Sequence, residues 1–221
     1  MTLVPSARVL GWAKVGVFLL CLVPLIEIAW RGVSGAIGPN PVEALTHTTG
    51  DWGLRLLLLT LAVTPLRRLT GWGWLLRFRR MLGLFAFFYL SLHLATYLGL
   101  DQFFDWAAVA EDIAKRPYIT LGFAAFLLLV PLAVTSTRGM VRRLGRRWQT
   151  LHRLIYPAAV LGVLHFLWLT KADTREPLLY AAVLTLLLAL RWPRRQRQAA
   201  PATETRLDRG DPRPARPEAR R

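Results

Sequence analysis

Apolar residues in this chain come in long blocks separated by short polar connections. Six blocks stand out, at residues 9–30, 52–69, 81–100, 118–137, 150–170 and 178–192. Within each block the apolar positions run on continuously rather than recurring every third or fourth residue, so no face is left for water. A helix of about 20 such residues crosses a bilayer. The pattern predicts an all-α polytopic membrane protein, with six transmembrane helices forming one domain over residues 1–192. Residues 32–50, rich in Gly, Pro and Thr, read as an irregular loop. The connection DQFFDWAAVAEDIAKRP mixes apolar and acidic residues and predicts a short helix lying at the membrane interface. After residue 192 the chain turns to Pro, Arg, Ala and acids, a composition that cannot bury enough surface to fold alone, so 193–221 reads as a disordered basic tail.

The net charge of +16 raises nucleic acid as a partner, but its placement points to a membrane instead. Arg67, Arg68, Arg77, Arg79 and Arg80 fill the connection after the second block, and Arg138, Arg142, Arg143, Arg146 and Arg147 the one after the fourth, with no acid in either. Glu43, Asp51, Asp101, Asp105, Glu111, Asp112, Asp173 and Glu176 fall in the alternate connections. This alternation is the positive-inside pattern and predicts that both termini are cytoplasmic. Trp30, Trp52, Trp72, Trp74, Trp168 and Trp192 stand at block ends, where indoles anchor to the interface. Arg8 and Lys14 give the first block the look of a signal peptide, but it is too long and lacks a small-residue cleavage site, so it reads as a retained anchor.

The single cysteine, Cys21, allows neither an internal disulfide nor a C-x-x-C-H haem attachment. No G-x-G-x-x-G or P-loop is present, so electrons, if the chain carries them, come from a separate protein or a lipid quinone.

Three histidines fall inside apolar blocks, where a polar ring needs a partner. His93 lies in the outer half of the third block, about 20 Å from its inner end. His165 lies near the outer end of the fifth, and His152 near its inner end, about 20 Å lower. Two imidazoles on neighbouring helices at one level can supply both axial nitrogens to a haem iron. This makes His93 and His165 the candidate ligands of one b-type haem near the outer face. At the level of His152 the third block offers Arg79 and Arg80, neither of which ligates iron. His152 is left with weaker ligation of a second haem, contact with a flavin or quinone, or a helix cap. Thirteen residues turn an ideal helix by about 220°, so His152 and His165 share a face only if Pro157 rewinds the segment. Arg55 has two readings, as a cofactor-binding partner for a haem propionate or as a snorkelling or Asp51-paired cation. Glu27 reads as a partner for Arg31, and His47 as an ordinary surface histidine. The inner arginines set topology, with a flavin phosphate or acidic partner as the alternative. No internal repeat stands out.

The segments RFRRMLGLFAFFYLSLHLATY, RRWQTLHRLIYPAAVLGVLHFLWL and PVEALTHTTGDWGLRLLLLTLAVTPLRRL together resemble the MsrQ (formerly YedZ) family. These are haem-binding membrane subunits of the bacterial periplasmic methionine sulfoxide reductase system, within the wider ferric-reductase-like transmembrane family. The resemblance covers roughly residues 41–192. It implies a six-helix inner-membrane protein holding b-type haem, with His93 and His165 matching the family's ligands and His152 its third histidine. FMN is an additional candidate cofactor. Electrons would come from a cytoplasmic flavin reductase or the quinone pool. They would pass to MsrP, a periplasmic molybdopterin enzyme that repairs methionine sulfoxide in envelope proteins, so this chain would be an electron-transfer subunit and not the catalytic one. The rivals are direct reduction of ferric or other metal ions, and a non-redox transporter or assembly scaffold.

Overall fold

The computed structural model describes residues 5–170 and 174–191, and every regular element among them is helical. The predicted tail at 193–221 lies outside the described residues. Helix α1 (Ala7–Val33) starts at Ser6, whose hydroxyl accepts from the Val9 amide at 3.4 Å. Helix α2 (Pro41–Thr70) starts well before its apolar block, inside the segment expected to be irregular. The cause is a polar start signal: Asn40 accepts from the Glu43 amide at 3.3 Å, Pro41 takes the first position and Glu43 the first turn. The helix stops at Gly71, whose φ of 74° is the left-handed cap that glycine adopts freely.

Helix α3 (Leu76–Thr96) follows a short 3-10 turn and runs on into a π-helical turn, Tyr97–Asp101. Helix α4 (Trp106–Lys115) forms in the connection expected to hold a short helix, with the Asp105 carboxylate accepting from the Ala107 and Ala108 amides. Helix α5 (Pro117–Val134) is followed by two short arginine-rich helices, α6 (Arg138–Leu144) and α7 (Arg146–Leu151). A 3-10 turn at His152–Leu154 then leads into α8 (Ile155–Leu169), where Pro157 sits in the first turn and takes no amide from the ladder. Helix α9 is Arg175–Arg191.

Among the described residues, four helical segments are long and apolar enough to cross a membrane: Ala7–Val33, Gly73–Asp101, Pro117–Val134 and Arg146–Leu169. Helix α2 is long enough but is diluted by Asp51, Arg55 and its threonines, and α9 has 17 residues. Helices α2 and α3 form one antiparallel pair, α5 and α8 another, and the two pairs pack against each other. Their shared core is closed to solvent at Leu61, Tyr89, Ala158 and Ala159. The acids of α2 and α4 cluster at one end of the bundle, and the arginines of α6 and α7 at the other. The bundle thus has an acidic end and a basic end.

The outer helices attach through polar groups that prolines disturb. The Tyr89 hydroxyl of α3 donates to the Cys21 carbonyl at 2.7 Å and accepts from the Leu25 amide at 3.1 Å. It is thereby inserted into the α1 ladder beside Pro24, a recognised way of bending a helix. In α2, Pro65 has no amide to give the Leu61 carbonyl. Arg191 of α9 replaces it, donating from Nε at 3.2 Å and from Nη2, while its Nη1 donates to the Tyr156 hydroxyl at 2.9 Å.

Arg191→Ala should therefore strand the Leu61 carbonyl and cost about 1–3 kcal/mol of stability. Adding Pro65→Ala, which restores the helical donor, should recover part of that loss. Thermal unfolding of the purified single and double variants measures the coupling; strictly additive effects would contradict the assignment.

Candidate functional site

His93 stands one turn above Tyr89 on α3, in part-buried surroundings facing α2. Its Nδ1 lies 2.8 Å from the Thr46 carbonyl oxygen. His165, on α8, has its Nδ1 2.6 Å from the Tyr118 carbonyl oxygen of α5. A carbonyl only accepts, so in both rings Nδ1 carries the proton and Nε2 keeps its lone pair. The two rings face each other with centroids 6.1 Å apart and planes crossed at 74°. Two imidazoles bonded through Nε2 to one metal at about 2.0 Å would have centroids roughly 6 Å apart. The observed separation matches that spacing. The second ring nitrogen of each is already held by a backbone carbonyl, the usual support for a metal-binding histidine.

The two halves of this arrangement repeat one construction. Each histidine follows its carbonyl partner by 47 residues. Thr46 and Tyr118, Gly50 and Gly122, and His93 and His165 are each 72 positions apart. The correspondence rests on three scattered positions rather than on a visible motif, so no repeat stands out in the sequence.

The glycines are the second shared element. One turn beyond each carbonyl, the helix passes so near the ring that a side chain would collide with it. A Cβ on Gly50 would lie 2.9 Å from His93 Nδ1 and 3.1 Å from its Cε1. A Cβ on Gly122 would lie 2.9 Å and 3.0 Å from the same atoms of His165. Glycine inside a helix costs roughly 1 kcal/mol relative to alanine, so two at equivalent places call for a steric reason, and the rings supply it. Gly53 serves the same α2–α3 approach, with a Cβ there falling 2.6 Å from Leu90 Cγ.

Both histidines line a cavity of about 450 Å³ between the two helix pairs, within the range of small-molecule sites. Its depth is apolar, formed by Leu54, Leu57, Leu90, Phe126 and Leu129, and its rim at the acidic end is polar, with Glu43, Asp51, Asp101 and Arg116. Arg116 Nε pairs with Asp112 at 3.1 Å, and that carboxylate pushes the guanidinium pKa up. Asp112 also accepts from the Tyr97 hydroxyl at 3.1 Å, tying the π-helical turn to α4.

The other residues singled out in the sequence go elsewhere. His152 does not line this cavity. Its Nε2 is 3.1 Å from Thr135 Oγ1 and its ring stacks on Trp148 at 3.9 Å, towards the basic end. Arg55 also stands outside the cavity lining: its Nε donates to the Tyr180 hydroxyl of α9 at 2.7 Å and its guanidinium lies over the Trp52 ring. His47 sits on the cavity rim, on α2 rather than in a loop, 3.9 Å from Glu43. Glu27 and Arg31 approach to 3.9 Å, as their spacing suggests.

Residues 49–163 match the family described as ferric reductase like transmembrane component, a span that includes His93 and His152 and stops just short of His165. Several curated proteins are similar over most of the chain. A protein-methionine-sulfoxide reductase heme-binding subunit MsrQ of Rhodospirillum rubrum is 63% identical over 179 residues, 80% of this chain and 86% of that protein. Its namesake in Xanthomonas campestris pv. campestris is 56% identical over 189 residues, 82% and 87% of the two chains. That of Herminiimonas arsenicoxydans is 48% identical over 207 residues, 90% and 95%.

The position of Arg55 can be tested directly. Tyr180→Phe removes the acceptor of a charged, part-buried donor and should cost about 1.5–3 kcal/mol, read from the unfolding temperature of the purified protein. An unchanged midpoint would mean that this bond does not brace α2 against α9.

Proposed function

Because the chain belongs to the ferric-reductase-like transmembrane family, and within it to the MsrQ subunits, multi-pass membrane proteins of the methionine sulfoxide reductase system, we propose that it is a b-type cytochrome of the inner membrane. In this reading α1, α2, the α3 segment, α5, α8 and α9 are the six spans, with both termini in the cytoplasm. The positive-inside alternation supports that orientation. The acidic end of the bundle, with the cavity mouth, then faces the periplasm.

His93 and His165 hold one haem in the cavity through Nε2. The observation that carries this is the facing of two imidazoles 6.1 Å apart, each with Nδ1 already engaged by a carbonyl. A haem so ligated is coordinatively saturated and supplies one-electron transfer rather than oxygen or substrate chemistry. The protein's own contributions are separate and physical. The Thr46 and Tyr118 carbonyls fix the tautomer and raise the basicity of the ligating nitrogens. Leu54, Leu57, Leu90 and Phe126 keep water out, which helps set the potential. Arg55 braces α2 against α9, and His152 braces the segment entering α8 against α5.

In this reading the two faces serve different partners. On the cytoplasmic side a flavin reductase, with FMN as carrier, or the quinone pool delivers electrons. On the periplasmic side MsrP receives them singly, two for each methionine sulfoxide repaired in an envelope protein. The chain is thus an electron-transfer subunit, and sulfoxide chemistry belongs to its partner.

Purified protein should show a b-type reduced-minus-oxidised spectrum. His93→Ala and His165→Ala should each lose most of the bound haem, whereas His47→Ala should keep it, as measured by haem per chain. Equal haem content in all three variants would contradict the ligand assignment.

A further inference from the structure

Resting on the haem reading above, we propose that Gly50 and Gly122 are positioning residues that clamp the two imidazoles in crossed planes and thereby set the electronic character of the haem iron. Each ring has two supports on the opposing helix. A carbonyl holds its Nδ1 edge, and one turn later a bare Cα lies against the ring. The first fixes where the ring can pivot, and the second limits how far it can turn. The result is an angle of 74° between the ring planes.

This angle has a definite consequence. With both Nε2 atoms bonded to one metal, each imidazole plane would contain its bond to that metal, and the angle between the rings would be the angle between the ligand planes. The ligand π systems then act on different iron d orbitals. Parallel planes would split those orbitals strongly, whereas crossed planes leave them nearly equal in energy. Orientation is thus a lever on the iron beside ligand identity and hydrogen bonding. A side chain at either glycine would meet the ring at 2.9 Å, below any ordinary contact, so the ring must rotate or withdraw. The hydrogen-bonded atom Nδ1 is itself the atom struck, so rotation also weakens the carbonyl bond.

The test is electron paramagnetic resonance and potentiometric titration of the purified ferric protein, with Gly50→Ala and Gly122→Ala compared against Gly83→Ala. Gly83 lies on α3 outside the cavity lining, and a Cβ there meets Thr60 Cγ2 at an ordinary 3.5 Å. The wild type and Gly83→Ala should show the single large-g feature of crossed ligands. Gly50→Ala and Gly122→Ala should move that feature towards the rhombic, three-line pattern of less crossed planes and shift the midpoint potential, with helix content by circular dichroism unchanged. If the two variants instead shed haem while remaining folded and Gly83→Ala keeps it, seating of the ring by the glycine is likewise supported. Unchanged spectra and potentials in Gly50→Ala and Gly122→Ala, or equal haem loss in Gly83→Ala, would overturn the proposal. A rhombic wild-type spectrum would defeat the crossed-plane claim while leaving the haem reading intact; a wild type without haem would defeat the functional reading itself.

Discussion

A buried imidazole has two nitrogens, and the proton on one of them must be paired. In this bundle the Thr46 and Tyr118 carbonyls accept the Nδ1–H hydrogen bonds of His93 and His165, and so decide which nitrogen stays free. Both free nitrogens belong to rings that face one another across the cavity. The fold meets this constraint twice in the same way, with a carbonyl, a glycine one turn later, and a histidine on the antiparallel partner helix. Starting α2 at Pro41 matters for this reason, because the early turns of that helix carry both Thr46 and Gly50.

The remaining helices attach to these two pairs, α1 to α3 and α9 to both α2 and α8. Tyr89 pins α1 to α3 four residues before His93, using backbone groups of α1 near Pro24. Arg191 pins α9 to α2 by filling the gap that Pro65 leaves in the ladder. In each case a proline that would weaken a lone helix marks a place where another helix attaches. Polar attachments of this kind suit a membrane interior, where apolar burial distinguishes little between a neighbouring helix and lipid.

The helical blocks and the two facing histidines were legible in the sequence because both depend on local pattern and on rise per residue. Long apolar runs name their own helices, and depth follows from counting. The start of α2 was not legible from hydropathy, since Asn40, Pro41 and Glu43 form a helix start in a segment whose composition resembles a loop. The glycines were hidden for a different reason. A lone glycine in an apolar helix reads only as a small loss of stability until the ring against it is known. The twin construction was equally hidden, because a backbone carbonyl can come from any residue and leaves no side-chain trace at Thr46 or Tyr118. For Arg55 the sequence left a haem propionate and a snorkelling or Asp51-paired cation open; the hydrogen bond it makes, to Tyr180, involves a residue 125 positions away and leaves no local trace.

The central claim is that imidazoles from two equivalent helix pairs grip one iron. Near-infrared magnetic circular dichroism of the purified ferric protein tests it most directly, because its charge-transfer band identifies the pair of axial ligands without recourse to mutation. The expected band is that of a low-spin iron with two neutral histidines. A high-spin signature, a band from any other ligand pair, or a protein without haem absorption would contradict it.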